Sequence, residues 1–79
     1  MKIHLGQLPS DVTEEELREL LGHLAEVREV RLLGPDDAEE SAAVVEIVGS
    51  AAFADTVRQR LNGTMFRGKS IFVESLPFG

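Results

Sequence analysis

The chain has 79 residues, a mass of 8.6 kDa and no cysteine, which excludes a two-domain enzyme, a disulfide-stapled fold and thiolate chemistry. Hydrophobic residues make up 43% at a mean hydropathy of -0.02, which argues against disorder, and no apolar run approaches the ~18 residues of a membrane span. Eight Lys and Arg against 14 Asp and Glu leave a net charge of -6, a balance that disfavours a long-range electrostatic grip on nucleic acid or on an anionic membrane.

Lys2 to Leu5 reads as a short strand, with Ile3 and Leu5 pointing one way and Lys2 and His4 the other. Leu8-Pro9-Ser10-Asp11 ends it. Thr13 with Glu16 three residues on is a capping box, and Glu14 and Glu15 suit the positive end of a helix dipole. Leu17, Leu20, Leu21 and Leu24 recur at i, i+3, i+4 and i+7, which predicts a helix with one leucine face and His23 near its negative end. Val27 to Leu33 resumes alternation as a second strand, Val30 and Leu32 on one side, Arg31 and Leu33 on the other. Gly34-Pro35-Asp36-Asp37 stops it, and the acidic stretch to Ser41 is a loop.

Ala42 to Val48, rich in β-branched residues, predicts a third strand. Ser50 then caps a second helix with Phe53, Ala54, Val57 and Leu61 on one side, closed by Asn62-Gly63. After a loop containing Phe66 and Gly68, Ile71 to Glu74 makes the fourth strand. The order β-α-β-β-α-β predicts an α+β fold in which two helices cover one face of a four-stranded antiparallel sheet. A single domain over residues 1–79 is expected, with its core at about 2–75 and a short tail at 76–79. The opening Met1-Lys2-Ile3-His4-Leu5-Gly6 is too short and interrupted for a signal peptide, so an intracellular, cytoplasmic protein is expected.

Charge divides unevenly. Residues 1–40 hold four basic residues against eleven acids, a net of -7, whereas residues 41–79 hold four against three, a net of +1. The acidity belongs to the first helix and to the loop before the third strand, where solvated charge is the ordinary reading.

Taken with its residues, this order resembles the RNA recognition motif family over roughly residues 2 to 75. Ile3-His4-Leu5-Gly6-Gln7-Leu8-Pro9 with Thr13-Glu14-Glu15-Glu16-Leu17 is similar to the family's shorter motif running into its first helix. Val44-Val45-Glu46-Ile47 sits where the longer motif ends, and Leu61-Asn62-Gly63 through Ile71-Phe72-Val73-Glu74 resembles the usual passage into the last strand. The resemblance implies a ferredoxin-like fold with the fourth strand beside the first, the third next and the second at the far edge. It also implies binding of single-stranded RNA on the open sheet face, where aromatics of the two central strands stack on bases.

The aromatic of the short motif falls on His4, those of the long motif on Ala42 and Val44, and its opening basic residue on Glu40. Gln7 replaces the usual Asn. Stacking is worth ~1–3 kcal/mol per base, so these departures imply weak or unconventional binding. Alternation gathers Lys2, His4, Arg31, Leu33, Ala42, Val44, Glu46, Phe72 and Glu74 on one surface. Within it Phe72 would lie beside His4 as a displaced platform, Lys2 and Arg31 would hold phosphates, and Val44 would share the RNA-binding face. The other reading makes Phe72, Val44 and Leu33 an apolar patch for a protein partner, a second copy or the tail Leu76-Pro77-Phe78, with the acidic helix as a further contact surface.

Gly63-Thr64-Met65-Phe66-Arg67-Gly68-Lys69-Ser70 satisfies the nucleotide-binding pattern G-x-x-x-x-G-K-S. That chemistry needs a strand before the loop and a helix after it, and this sequence offers the reverse, so no nucleotide is expected. Two histidines without cysteine fall short of a zinc site, and Asp36-Asp37-Ala38-Glu39-Glu40 lacks a calcium loop's spacing and glycine. No cofactor, no metal and no catalytic set are expected, and the chain reads as a non-enzyme.

Overall fold

The computed structural model describes residues 1–34 and 40–76. The acidic loop predicted over residues 35–39 and the tail beyond Leu76 lie outside them.

Strand β1 (Lys2–Pro9) buries Ile3 and Leu5 completely and leaves Lys2 and His4 half-buried on the other face. It runs past Leu5, where the sequence reading ends it, into the predicted breaker Leu8-Pro9, because one extra residue is accommodated as a bulge. Pairing with strand β3 (Glu40–Ile47) passes from Leu5 opposite Ala43 to Leu8 opposite Ser41, and Gln7 takes φ 61°. The insertion reverses the alternation, so Leu8 returns to the core instead of facing solvent. A left-handed φ is unfavourable for Gln and better tolerated by Asn, whose short amide bonds locally. Gln7→Asn is therefore expected to raise stability by about 0.5–1 kcal/mol, read as a higher urea midpoint; a lower midpoint would contradict this account.

Helix α1 (Glu14–Gly22) starts as the capping box requires: Thr13 Oγ1 accepts from the Glu16 amide at 3.2 Å, and Glu16 Oε1 accepts from the Thr13 amide at 3.1 Å. Leu17 and Leu21 are fully buried and Leu20 is half-buried. The helix stops before Leu24, contrary to the leucine spacing, because Gly22 is a poor helix former and His23 caps it. Leu24 still packs on the core from the turn that follows. Helix α2 (Ala51–Leu61) begins at Ser50, whose hydroxyl accepts from the Phe53 amide at 3.1 Å, and buries Ala54, Val57 and Leu61. Phe53, expected on that buried side, is 38% exposed because it lies on the flank of the stripe.

Beyond α2 the Asn62 side chain accepts the amide of buried Val73 at 3.0 Å and ties the helix end to strand β6 (Phe72–Ser75). Asn62→Ala leaves that amide unpaired and is expected to cost about 1–2 kcal/mol in chemical unfolding, whereas an unchanged midpoint would show that the bond contributes nothing net.

Strand β2 (Val27–Leu32) completes a four-stranded antiparallel sheet of order β2-β3-β1-β6. Both helices lie on one face, over Ile3, Leu5, Val45, Ile47 and Val73. The result is a ferredoxin-like α+β fold. Sequence reading treats residues 64–70 as a loop, but they hold a small hairpin, β4 (Met65–Phe66) against β5 (Lys69–Ser70). Its turn residues Arg67 and Gly68 both have positive φ, 51° and 85°, as a two-residue hairpin matching the sheet twist requires.

Candidate nucleic-acid interface

The sheet face away from the helices carries the alternate residues of each strand. β1 presents Lys2, His4 and Gly6, β3 presents Ala42, Val44 and Glu46, and β6 presents Phe72 and Glu74, since their strand neighbours are buried in the core. In the ladder His4 lies between Val44 and Glu74, while Phe72 pairs with Gly6 one step along. A Cβ on Gly6 would stand 3.8 Å from His4 Cε1 and 4.0 Å from Phe72 Cβ. The missing side chain thus leaves a gap beside the His4 imidazole and the Cβ of Phe72. Phe72 is 46% exposed, a large aromatic surface available to a planar ligand.

Beside this gap a groove of about 250 Å³ runs across β1, β3 and β2. Lys2, Arg31 and Val44 line it together, with Leu33, Glu46, Glu29 and Leu76. Of the five residues singled out from sequence, three therefore share one groove, and His4 and Phe72 adjoin Gly6 on the same face. Glu29 was missed, although it shares the parity of Arg31 and Leu33 along the strand. Leu76 was assigned to a tail; its amide donates to the Lys2 carbonyl at 3.0 Å, continuing the β1–β6 ladder and bringing its side chain to the groove. Pro77 and Phe78 lie outside the described residues.

The electrostatics are mixed. Glu29 stands directly opposite Glu46, a like-charge pair that opposes sheet formation. Arg31 lies 3.6 Å from Glu29 and Arg28 lies 3.9 Å from Glu46, contacts too long for hydrogen bonds and exposed enough to contribute little. Lys2 pairs with Glu46 in strand register and makes no ion pair among the described residues. The groove brings together two cationic side chains, Lys2 and Arg31, two carboxylates, Glu29 and Glu46, and the apolar Val44, Leu33 and Leu76.

Two alternative chemistries find no geometry here. Residues 63–70 run from the end of α2 through the β4–β5 hairpin into β6, so no helix N-terminus follows the nucleotide-loop pattern. Among the described residues no three His, Cys, Asp or Glu side chains cluster as a metal site, and no helix is long and apolar enough to cross a membrane.

Residues 3–72 match the sequence profile of the RNA recognition motif. The chain is 34% identical over 76 residues to the Hrp65 protein of Chironomus tentans, covering 96% of this chain and 13% of that protein. It is 32% identical over 71 residues to heterogeneous nuclear ribonucleoprotein Q of Arabidopsis thaliana, covering 89% and 14% respectively. The chain thus spans about one seventh of these relatives. Among solved structures, RNA binding protein PG1 superposes with a TM-score of 0.79 at 25% identity, over 98% of this chain and 94% of that one. With its sheet order, its helices on one face and this match over most of its length, the chain belongs to the RNA recognition motif family.

Proposed function

We propose that the open sheet face binds single-stranded RNA, with His4 and Phe72 taking a base at the Gly6 gap while Lys2 and Arg31 hold the phosphates beside it. The observation that carries this reading is that His4 and Phe72 both adjoin the side-chain-free Gly6 on the open face, next to a groove lined by Lys2 and Arg31. Every base has a π-face, so such a platform tolerates many sequences. Val44 supplies apolar contact where a second ring would stack, which makes the binding weaker than that of a face with its full set of aromatics. RNA binding is also the reading favoured by the likeness to a heterogeneous nuclear ribonucleoprotein and to RNA binding protein PG1. Binding without catalysis is part of the proposal, as is an intracellular location, where RNA is the available polyanion.

A titration of isotope-labelled protein with short random single-stranded RNA at low salt tests it. Shifts are expected at His4, Arg31 and Phe72 and should weaken as salt rises, because phosphate contacts release counterions. Leu76 in the groove beside Leu33 and Val44 favours the rival occupant, an apolar peptide on the same face. Silence toward RNA, with concentration-dependent association of the protein alone, would establish that rival instead.

A further inference from the structure

A second cavity, of about 300 Å³, lies on the helical side of the molecule, between α1 and the β4–β5 hairpin. Glu16, Glu19, Leu20 and His23 line it at i, i+3, i+4 and i+7, one stripe of the helix, and Phe66 of β4 forms the opposite wall. Leu20 and Phe66 are half-buried and rest on the core, so the floor is apolar and fixed. The rim is acidic.

Arg67 displays what this wall accepts. Its guanidinium lies 3.1 Å from Asp11 and 3.2 Å from Glu16, and 5.6 Å from the centre of the Phe66 ring. A planar cation is therefore already held between carboxylates and an aromatic at one end of the cavity. One helical turn further on, Glu19 makes no ion pair among the described residues, and Leu20 and Phe66 continue the same apolar surface beneath it. An arginine matches such a lining better than either a purely apolar or a purely charged side chain. Its methylenes cover hydrocarbon while its guanidinium forks onto a carboxylate.

We infer that this cavity is a docking site for an arginine-bearing basic segment of a partner protein. The entering guanidinium sits on Glu19, its stem lies across Leu20 and Phe66, and the next basic residue of the segment faces Glu15, one turn back along α1. Charge complementarity names the occupant: Glu16 and Glu19 line the cavity and Glu15 and Asp11 stand near it, a local acidity that attracts a basic peptide and repels RNA. The site is thus separate from the sheet face, and failure of RNA to bind there does not bear on it.

Titration of labelled protein with a ten-residue Gly-Arg repeat peptide, and with its Gly-Lys counterpart, tests the assignment. Saturable shifts are expected at Glu19, Leu20, His23 and Phe66, with the lysine peptide weaker by about tenfold for want of the planar fork. Glu19→Gln should weaken the arginine peptide about fivefold or more without moving the unfolding midpoint, because Glu19 is exposed. Equal affinity for the two peptides, indifference to Glu19→Gln, or shifts confined to the sheet face would overturn it. So would self-association of the protein through α1, with Arg60 of a second copy as the occupant.

Discussion

Replacing His4 and Phe72 together by alanine is expected to weaken RNA binding about a hundredfold, each ring accounting for roughly a factor of ten. Base–aromatic stacking is worth ~1–3 kcal/mol per base, and 1.4 kcal/mol is tenfold in affinity, so the lower half of that range gives the stated factor. Both side chains lie on the open face, outside the packed core, so the double variant should keep its unfolding midpoint within a few tenths of a kcal/mol. The reverse experiment is Val44→Phe. It restores a ring across the ladder from His4 and is expected to tighten binding about tenfold. Fluorescence anisotropy with a labelled oligonucleotide reads all three proteins. Equal affinities for wild type and the double variant would remove both rings from the mechanism, whatever the RNA does elsewhere.

The largest effect on stability should come from Leu5→Ala. Leu5 is fully buried in the central strand β1, between β3 and β6 and beneath both helices. Large-to-small changes at such sites remove the transfer free energy of the lost carbons and leave a cavity, together about 3 kcal/mol. A chain of this length has a total stability of roughly 4–12 kcal/mol, so the loss is a quarter or more of what holds the fold together. The small size of the domain leaves little elsewhere to compensate. Urea unfolding should show the midpoint falling with an unchanged slope, whereas a loss below about 1 kcal/mol would mean that the core closes around the deletion.

Much of this architecture was legible because hydrophobic period and capping chemistry speak locally. Thr13 with Glu16, the Leu17–Leu21 face and the alternation through Val44 to Ile47 each determine an element from a handful of neighbouring residues. What escaped depended on partners distant in the chain. The bulge at Gln7 cannot be read from β1 alone, since a second strand is needed to define a register shift. The β4–β5 hairpin hides because Arg67, not Asn or Gly, occupies the first left-handed turn position. Within the site, parity placed Lys2, Arg31 and Val44 correctly on one face. It did not show that Phe72 sits opposite Gly6, one step from His4, or that Leu76 lies along the groove, because ladder register is set by tertiary pairing. Glu29 joins the groove because a register shift between Val27 and Glu29 sets it opposite Glu46, which the β2 sequence alone does not reveal.

The facing carboxylates of Glu29 and Glu46 give the fold an unspent reserve. A sequence optimised for robustness alone would replace one of them by threonine or lysine and turn a repulsive cross-strand pair into an attractive one. Arg31 beside Glu29 and Arg28 beside Glu46 already offset part of the repulsion, so the gain at this single rung of the ladder is expected to be about 0.5 kcal/mol.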